Sequence, residues 1–201
     1  MAARAGSQRA RLARLKLPIR GARVELVPPS MDQVPAVVRL LKEPSVARWT
    51  LHVPHPYTRR DGRNWVRKST EGRRTGQWLA LTVVRSSDGE VLGGVGLHNL
   101  EEWSTSAEVG YWLGREHRGR GYATEAVNAL LTTGFTRLGL HRIEARVFPR
   151  NLASRAVVRR CGFRYEGRLR DEAQKNGRWR ATLLFARLAS DPPVGHAARR
   201  R

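Results

Sequence analysis

Arg118-Gly119-Arg120-Gly121-Tyr122-Ala123 stands between an apolar run, Ala107 to Leu113, and a segment where Ala123, Ala126, Val127, Leu130, Leu131 and Phe135 recur at helical spacing. Strand, glycine-bearing loop and amphipathic helix, in that order, is the arrangement that matters. The free N–H groups at a helix start carry the positive end of the helix dipole, and glycine lets the backbone approach a bulky diphosphate where a side chain would collide. Arg118 and Arg120 add charge to this anion nest. Taken alone, Gly-Arg-Gly before a helix reads equally as a plain turn. A dinucleotide fingerprint needs three glycines and a distant acid, and a nucleotide P-loop ends in Gly-Lys-Ser or Gly-Lys-Thr; neither is present.

The flanking segments read as alternating strands and helices. Ala22 to Val27 alternates like a half-buried strand and stops at Pro28-Pro29, and Asp32 to Lys42 has helical spacing with Ser30 or Asp32 as cap. Residues 43–57, punctuated by Pro44, Pro54 and Pro56, read as a loop. Thr58 and Asp61 have capping-box spacing ahead of a polar helix with Trp65 and Val66. Gln77 to Val84 and Val91 to His98, separated by Ser86-Ser87-Asp88-Gly89, predict an antiparallel hairpin. Gly139 closes the amphipathic helix, Arg142 to Val147 is a further strand, and Asn151 caps a short helix through Arg160. Strands around Phe163 to Tyr165 and over Ala181 to Leu188 complete the sheet.

One domain fits 201 residues. The expected organisation is a basic flexible tail over residues 1–17, a domain over 18–189 and a disordered tail over 190–201. The lone Cys161 excludes an intramolecular disulfide and a cysteine metal cluster, which fits a reducing compartment. With no long apolar run and no apolar leader, the expectation is a cytoplasmic protein without a membrane partner. A formal net charge of +21 attracts RNA and phosphorylated ligands, although the basic residues are dispersed and are equally a compositional bias. Loop histidines His52 and His55 lack a paired carboxylate, so no metal is assigned.

The glycine loop resembles the acyl-CoA loop of the GNAT superfamily of N-acetyltransferases, matched by Arg118, Gly121 and Ala123. The resemblance runs from Pro54-His55-Pro56-Tyr57-Thr58 through Glu108-Val109-Gly110-Tyr111-Trp112-Leu113 to Asn151-Leu152-Ala153-Ser154, Cys161-Gly162-Phe163, Glu166-Gly167 and Asn176-Gly177. It covers most of residues 20–188 and is nearest to the bacterial enzymes that acetylate ribosomal-protein N-termini. It implies an α/β (α+β) fold: a mixed, mostly antiparallel sheet of six or seven strands flanked by helices, splayed near Glu108 to Leu113 so that pantetheine enters the gap. It also implies acetyl-CoA as co-substrate and direct attack by an amine within a ternary complex.

By that resemblance Tyr111, Trp112, Leu113, Arg118, Gly119, Arg120, Gly121, Tyr122, Ala123, Asn151 and Arg155 bind the cofactor. Many relatives place a proton-donating tyrosine seven positions after the asparagine, where this chain has Val158. The ribosomal-protein branch carries a serine three positions on, which makes Ser154 the candidate acid; its bland reading is a first-turn helix hydroxyl. Glu108 and Glu144 are the carboxylates placed to act as base through water, or else strand-face charges paired with Arg146 or Arg142. The chain departs from its relatives at Ala181 and at Ala173, beside Asp171 and Glu172, which leaves base and substrate open. The expected acceptor is a protein N-terminal amine, with a small amine such as a polyamine, or a silent domain docking on RNA or the ribosome, as alternatives. Either a monomer or a homodimer is compatible.

Overall fold

In the computed structural model, which describes residues 7–193, one eight-stranded sheet runs in the order β1-β2-β3-β4-β5-β6-β8-β7. Its strands are β1 (Ile19–Arg20), β2 (Val24–Val27), β3 (Leu79–Arg85), β4 (Val91–Glu101), β5 (Ser106–Leu113), β6 (Arg142–Val147), β7 (Arg164–Lys175) and β8 (Arg178–Leu188). All neighbours are antiparallel except β5 and β6, which are parallel. The β3–β4 hairpin forms as its turn residues predict. The helices are α1 (Gln8–Ala13), α2 (Val34–Leu41), α3 (Pro44–Trp49), α4 (Arg59–Thr75), α5 (Tyr122–Thr133) and α6 (Leu152–Arg160).

Burial on both faces explains why β3 is apolar at nearly every position, whereas β5 alternates. On one face Val127, Leu130 and Leu131 of α5 and Val158 of α6 pack with Leu97, Val109 and Ile143. On the other, Val37, Leu40 and Leu41 of α2 pack with Val46, Tyr57 and Val91. Thr58 caps α4, with Asp61 Oδ2 accepting from the Thr58 N–H at 2.8 Å, so the capping-box reading holds with aspartate in glutamate's place.

Three expectations are corrected. The sheet has eight strands, because β1 is added at one edge, and its last two strands are longer than expected, forming one hairpin over residues 164–188. Residues 43–57 contain helix α3; Pro44 sits in its first turn, where a missing N–H costs nothing, so this proline starts a helix. The expected N-terminal tail is largely folded: α1 buries Leu12 completely, and Leu15 just beyond it is nearly buried, against the core that holds α5. Three arginines in residues 8–14 disguised this apolar stripe by raising the local polarity. The remaining tail expectations, for residues 1–6 and 194–201, lie outside the described residues.

Candidate active site

β5 and β6 pair only over Ser106–Glu108 against Arg142–Glu144. Beyond Glu108 they part: β5 stays on β4 through Leu113, and β6 continues on β8 through Val147. The gap-facing backbone of residues 109–112 therefore lacks a strand partner, which makes an edge where a ligand's amide chain can pair. A cleft of about 340 Å³ opens here, walled by Val109, Tyr111 and Leu113 of β5, Ala145 and Val147 of β6, and Ser154 and Val157 of α6.

The glycine loop closes one end. The chain turns through Gly119 (φ 76°) and Gly121 (φ 85°) into α5. Gly121 is the N-cap and supplies no side-chain acceptor, so the N–H groups of Tyr122, Ala123 and Thr124 have no intrahelical partner. A Cβ at Gly119 would meet nothing within 4 Å, so glycine is required there by backbone conformation and not by crowding. Arg118 Nε donates to the Leu113 carbonyl at 3.0 Å, which ties the loop to β5. Arg23, ion-paired with Glu125 at 3.0 Å, lies over the Tyr122 ring.

A hydroxyl pair stands in the cleft wall. Asn151 caps α6 by accepting from the Ser154 N–H at 3.1 Å. Ser154 Oγ lies 2.8 Å from the Tyr111 hydroxyl. Burial pushes the Tyr111 phenol upward, opposed by its bond with Ser154, so the hydroxyl keeps its proton.

The carboxylates gather at the closed end of the splay. Glu108 and Glu144 reach Arg146 at 2.8 and 2.9 Å, and Glu172 meets the same guanidinium at 2.7 Å. Asn99 Nδ2 donates to Glu108 at 3.2 Å. Burial raises the Glu108 carboxyl above the usual carboxylate range, with Arg146 working against it. Glu144 also accepts from Arg142 Nε at 2.8 Å. A bulge in β7 between Leu169 and Ala173, with Asp171 at φ 47°, lets Glu172 join this group.

Of the residues assigned to the cofactor, Tyr111, Trp112, Leu113, Arg118, Gly119, Gly121, Tyr122, Ala123 and Asn151 line the cleft, together with Ser154. Arg120, Arg155, Glu108 and Glu144 do not. Arg155 Nη1 donates instead to the Pro149 carbonyl at 3.3 Å. Ser45, Val46, Trp49 and Thr50, around α3, line the cleft without having been singled out; Pro44 as a helix starter was the available signal.

A second, larger cavity of about 1040 Å³ adjoins the first, with Trp49 and Phe148 forming walls of both. His52 and His55 line it. Lys175 Nζ donates to the Thr50 carbonyl at 2.5 Å and joins the β7 side to the end of α3. Among the described residues no cluster of three His, Cys, Asp or Glu is arranged to hold a metal. Cys161 is buried with its thiol pushed up to about 12, which makes it a poor nucleophile. No helix among the described residues is long and apolar enough to cross a membrane.

Residues 23–164 match the acetyltransferase (GNAT) domain. The uncharacterized N-acetyltransferase p20 of Bacillus licheniformis is 39% identical over 113 residues, 56% of this chain and 64% of that protein. The ribosomal-protein-serine acetyltransferase of Escherichia coli is 30% identical over 99 residues, 49% of this chain and 55% of that protein. The chain thus spans less than two thirds of the length of these curated relatives. Among solved structures, Mycobacterium smegmatis RimJ in complex with CoA-disulfide superposes with a TM-score of 0.78 at 30% identity, covering 86% of each chain.

Proposed function

The chain belongs to the GNAT acetyltransferase family, and from that premise we propose that it moves the acetyl group of acetyl-CoA onto a protein N-terminal α-amine. The observation that carries this reading is one continuous cleft with an anion-binding helix start at one end and the Tyr111–Ser154 hydroxyl pair in its wall. The residues present fit coenzyme A. The N–H groups opening α5, with Arg118, suit a diphosphate, and the unpaired edge of residues 109–112 suits pantetheine amides. The cofactor supplies an acetyl group activated as a thioester.

Amine attack on a thioester needs a neutral amine, a stabilised oxyanion and a proton for the departing sulfur. Ser154 supplies that proton: either hydroxyl of the Tyr111–Ser154 pair can donate, and when Tyr111 donates to Oγ the serine's own hydrogen is free to point into the cleft. An α-amine titrates near 7.7–8.0, against about 10.4 for lysine, so an N-terminal acceptor needs only a weak base. Glu108, raised by burial and held by Arg146 alone among the arginines, is the carboxylate suited to accept the proton through water, while Glu144 is held by both Arg142 and Arg146. Structural likeness to RimJ and sequence likeness to a ribosomal-protein-serine acetyltransferase support a protein acceptor. The test is acetylation of N-terminal peptides by the purified protein with acetyl-CoA, with the product mapped to the α-amine.

A further inference from the structure

The larger cavity is strongly unbalanced in charge. Arg48, Arg150, Arg168, Lys175 and Arg180 line it, against Asp171 as the single carboxylate. Two of the five are already engaged: Arg48 lies 4.9 Å from the Trp49 ring centroid, and Lys175 donates to the Thr50 carbonyl. Arg150, Arg168 and Arg180 form no ion pair among the described residues. The acids that could neutralise them sit elsewhere. The β7 bulge turns Glu172 toward Arg146, and Glu166 is spent on Arg142. Burial and then the nearby Arg180 push Lys175 down, as expected where cations crowd together.

We propose that this cavity selects acceptors whose reactive N-terminal amine is followed within a few residues by acidic side chains, held by Arg150, Arg168 and Arg180. The proposal rests on the acetyltransferase reading and names the acceptor class for that same site. A concave wall of one sign focuses its field on an incoming ligand and accelerates the encounter with the opposite charge. Trp49 and Phe148, shared by both cavities, mark where the acceptor's amine end meets the cofactor cleft, so the arginines lie along the segment behind it. At about 1040 Å³ the cavity reaches the upper range of small-ligand sites, which suits several residues of an extended peptide. A polyamine would bring further positive charge to a cationic wall, and so would a basic N-terminus.

The test uses the full chain with acetyl-CoA and three peptides that share a first residue and differ at positions two to six: acidic, neutral or basic. Phosphoethanolamine, a small amine carrying the same sign of charge, is a fourth acceptor. The expected kcat/KM order is acidic, neutral, basic, each step about tenfold, carried mainly by KM and reduced by added salt. Arg168→Glu combined with Arg180→Glu leaves three cations facing three carboxylates in the lining and should flatten the order; both positions are exposed, so the fold should survive. Equal rates for the three peptides, or a basic preference, would overturn the proposal and leave acetyl transfer standing. Phosphoethanolamine outpacing the acidic peptide would overturn the peptide assignment. If no acceptor turns over, calorimetric titration of the CoA-loaded protein with the same peptides still decides the matter. Tighter acidic binding that Arg168→Glu/Arg180→Glu abolishes supports the charge selection while the catalytic reading fails, and equal binding overturns it.

Discussion

The Tyr111 hydroxyl lies 2.8 Å from Ser154 Oγ and 3.1 Å from the Ser154 carbonyl oxygen, so a β5 side chain fixes a serine in the first turn of α6 across the splayed sheet. When the tyrosine donates to Oγ, the serine proton is directed into the cleft; when it donates to the carbonyl, Ser154 donates back to the tyrosine. Ser154→Ala should lower kcat roughly ten- to a thousandfold and leave CoA affinity nearly unchanged. Tyr111→Phe should cost less. Because the two act as a unit, the double variant should be no slower than Ser154→Ala alone, and single-turnover rates on all three proteins check this.

Glu108 sets the expected pH response. Only its ionised form accepts a proton, and burial raises its pKa, so activity should be lost at a higher pH than an ordinary glutamate would give. Below the acceptor amine's pKa, log kcat/KM should fall with a slope of about one, steepening to about two below that of Glu108. In Glu108→Gln the steeper region should vanish while the amine limb remains. A wild-type profile with a single slope throughout would remove Glu108 from the chemistry.

At the loop, Gly121 holds φ 85°, a conformation that costs an L-residue about 1–2 kcal/mol. Gly121→Asp adds that strain, approaches Arg23 Nη2 and places a negative charge where phosphates are expected. CoA binding should fall at least about a hundredfold by calorimetry in a protein with an unchanged circular dichroism spectrum. Gly119→Ala, at φ 76°, carries a similar strain but adds no charge, so it should lose far less CoA affinity.

Leu12 is completely buried in a segment whose composition reads as a tail. Leu12→Ala should destabilise the protein by about 2–5 kcal/mol, seen as a lower midpoint in urea with an unchanged slope. An unchanged midpoint would mean that α1 contributes nothing to the core.

How much was readable in advance follows from where the information sits. The strand, glycine loop and helix around Gly119 to Phe135 were legible because local chemistry and periodicity agree there. The caps at Thr58 and Asn151 were legible for the same reason. α1 was not, because Leu12 and Leu15 gain their meaning only from the distant core of α5. The Tyr111–Ser154 bond joins residues 43 positions apart, and nothing local to either predicts it. Arg146 was visible as a strand-face partner for a neighbouring acid, but its third carboxylate, Glu172, arrives through a β7 bulge with no sequence signature. The charge of the second cavity was hidden for a related reason. Arg48, Arg150, Arg168 and Arg180 are spread over three parts of a chain that is basic everywhere, and only the fold gathers them.

The most direct measurement is mass-spectrometric mapping of a peptide incubated with the purified protein and acetyl-CoA. The account predicts one acetyl group on the α-amine, none on an internal lysine, one equivalent of free CoA per peptide modified, and slower accumulation of the same product in Ser154→Ala. Acetylation confined to lysine would contradict the assigned acceptor. No CoA release with any amine, from a folded protein shown to bind acetyl-CoA, would contradict the account at its centre.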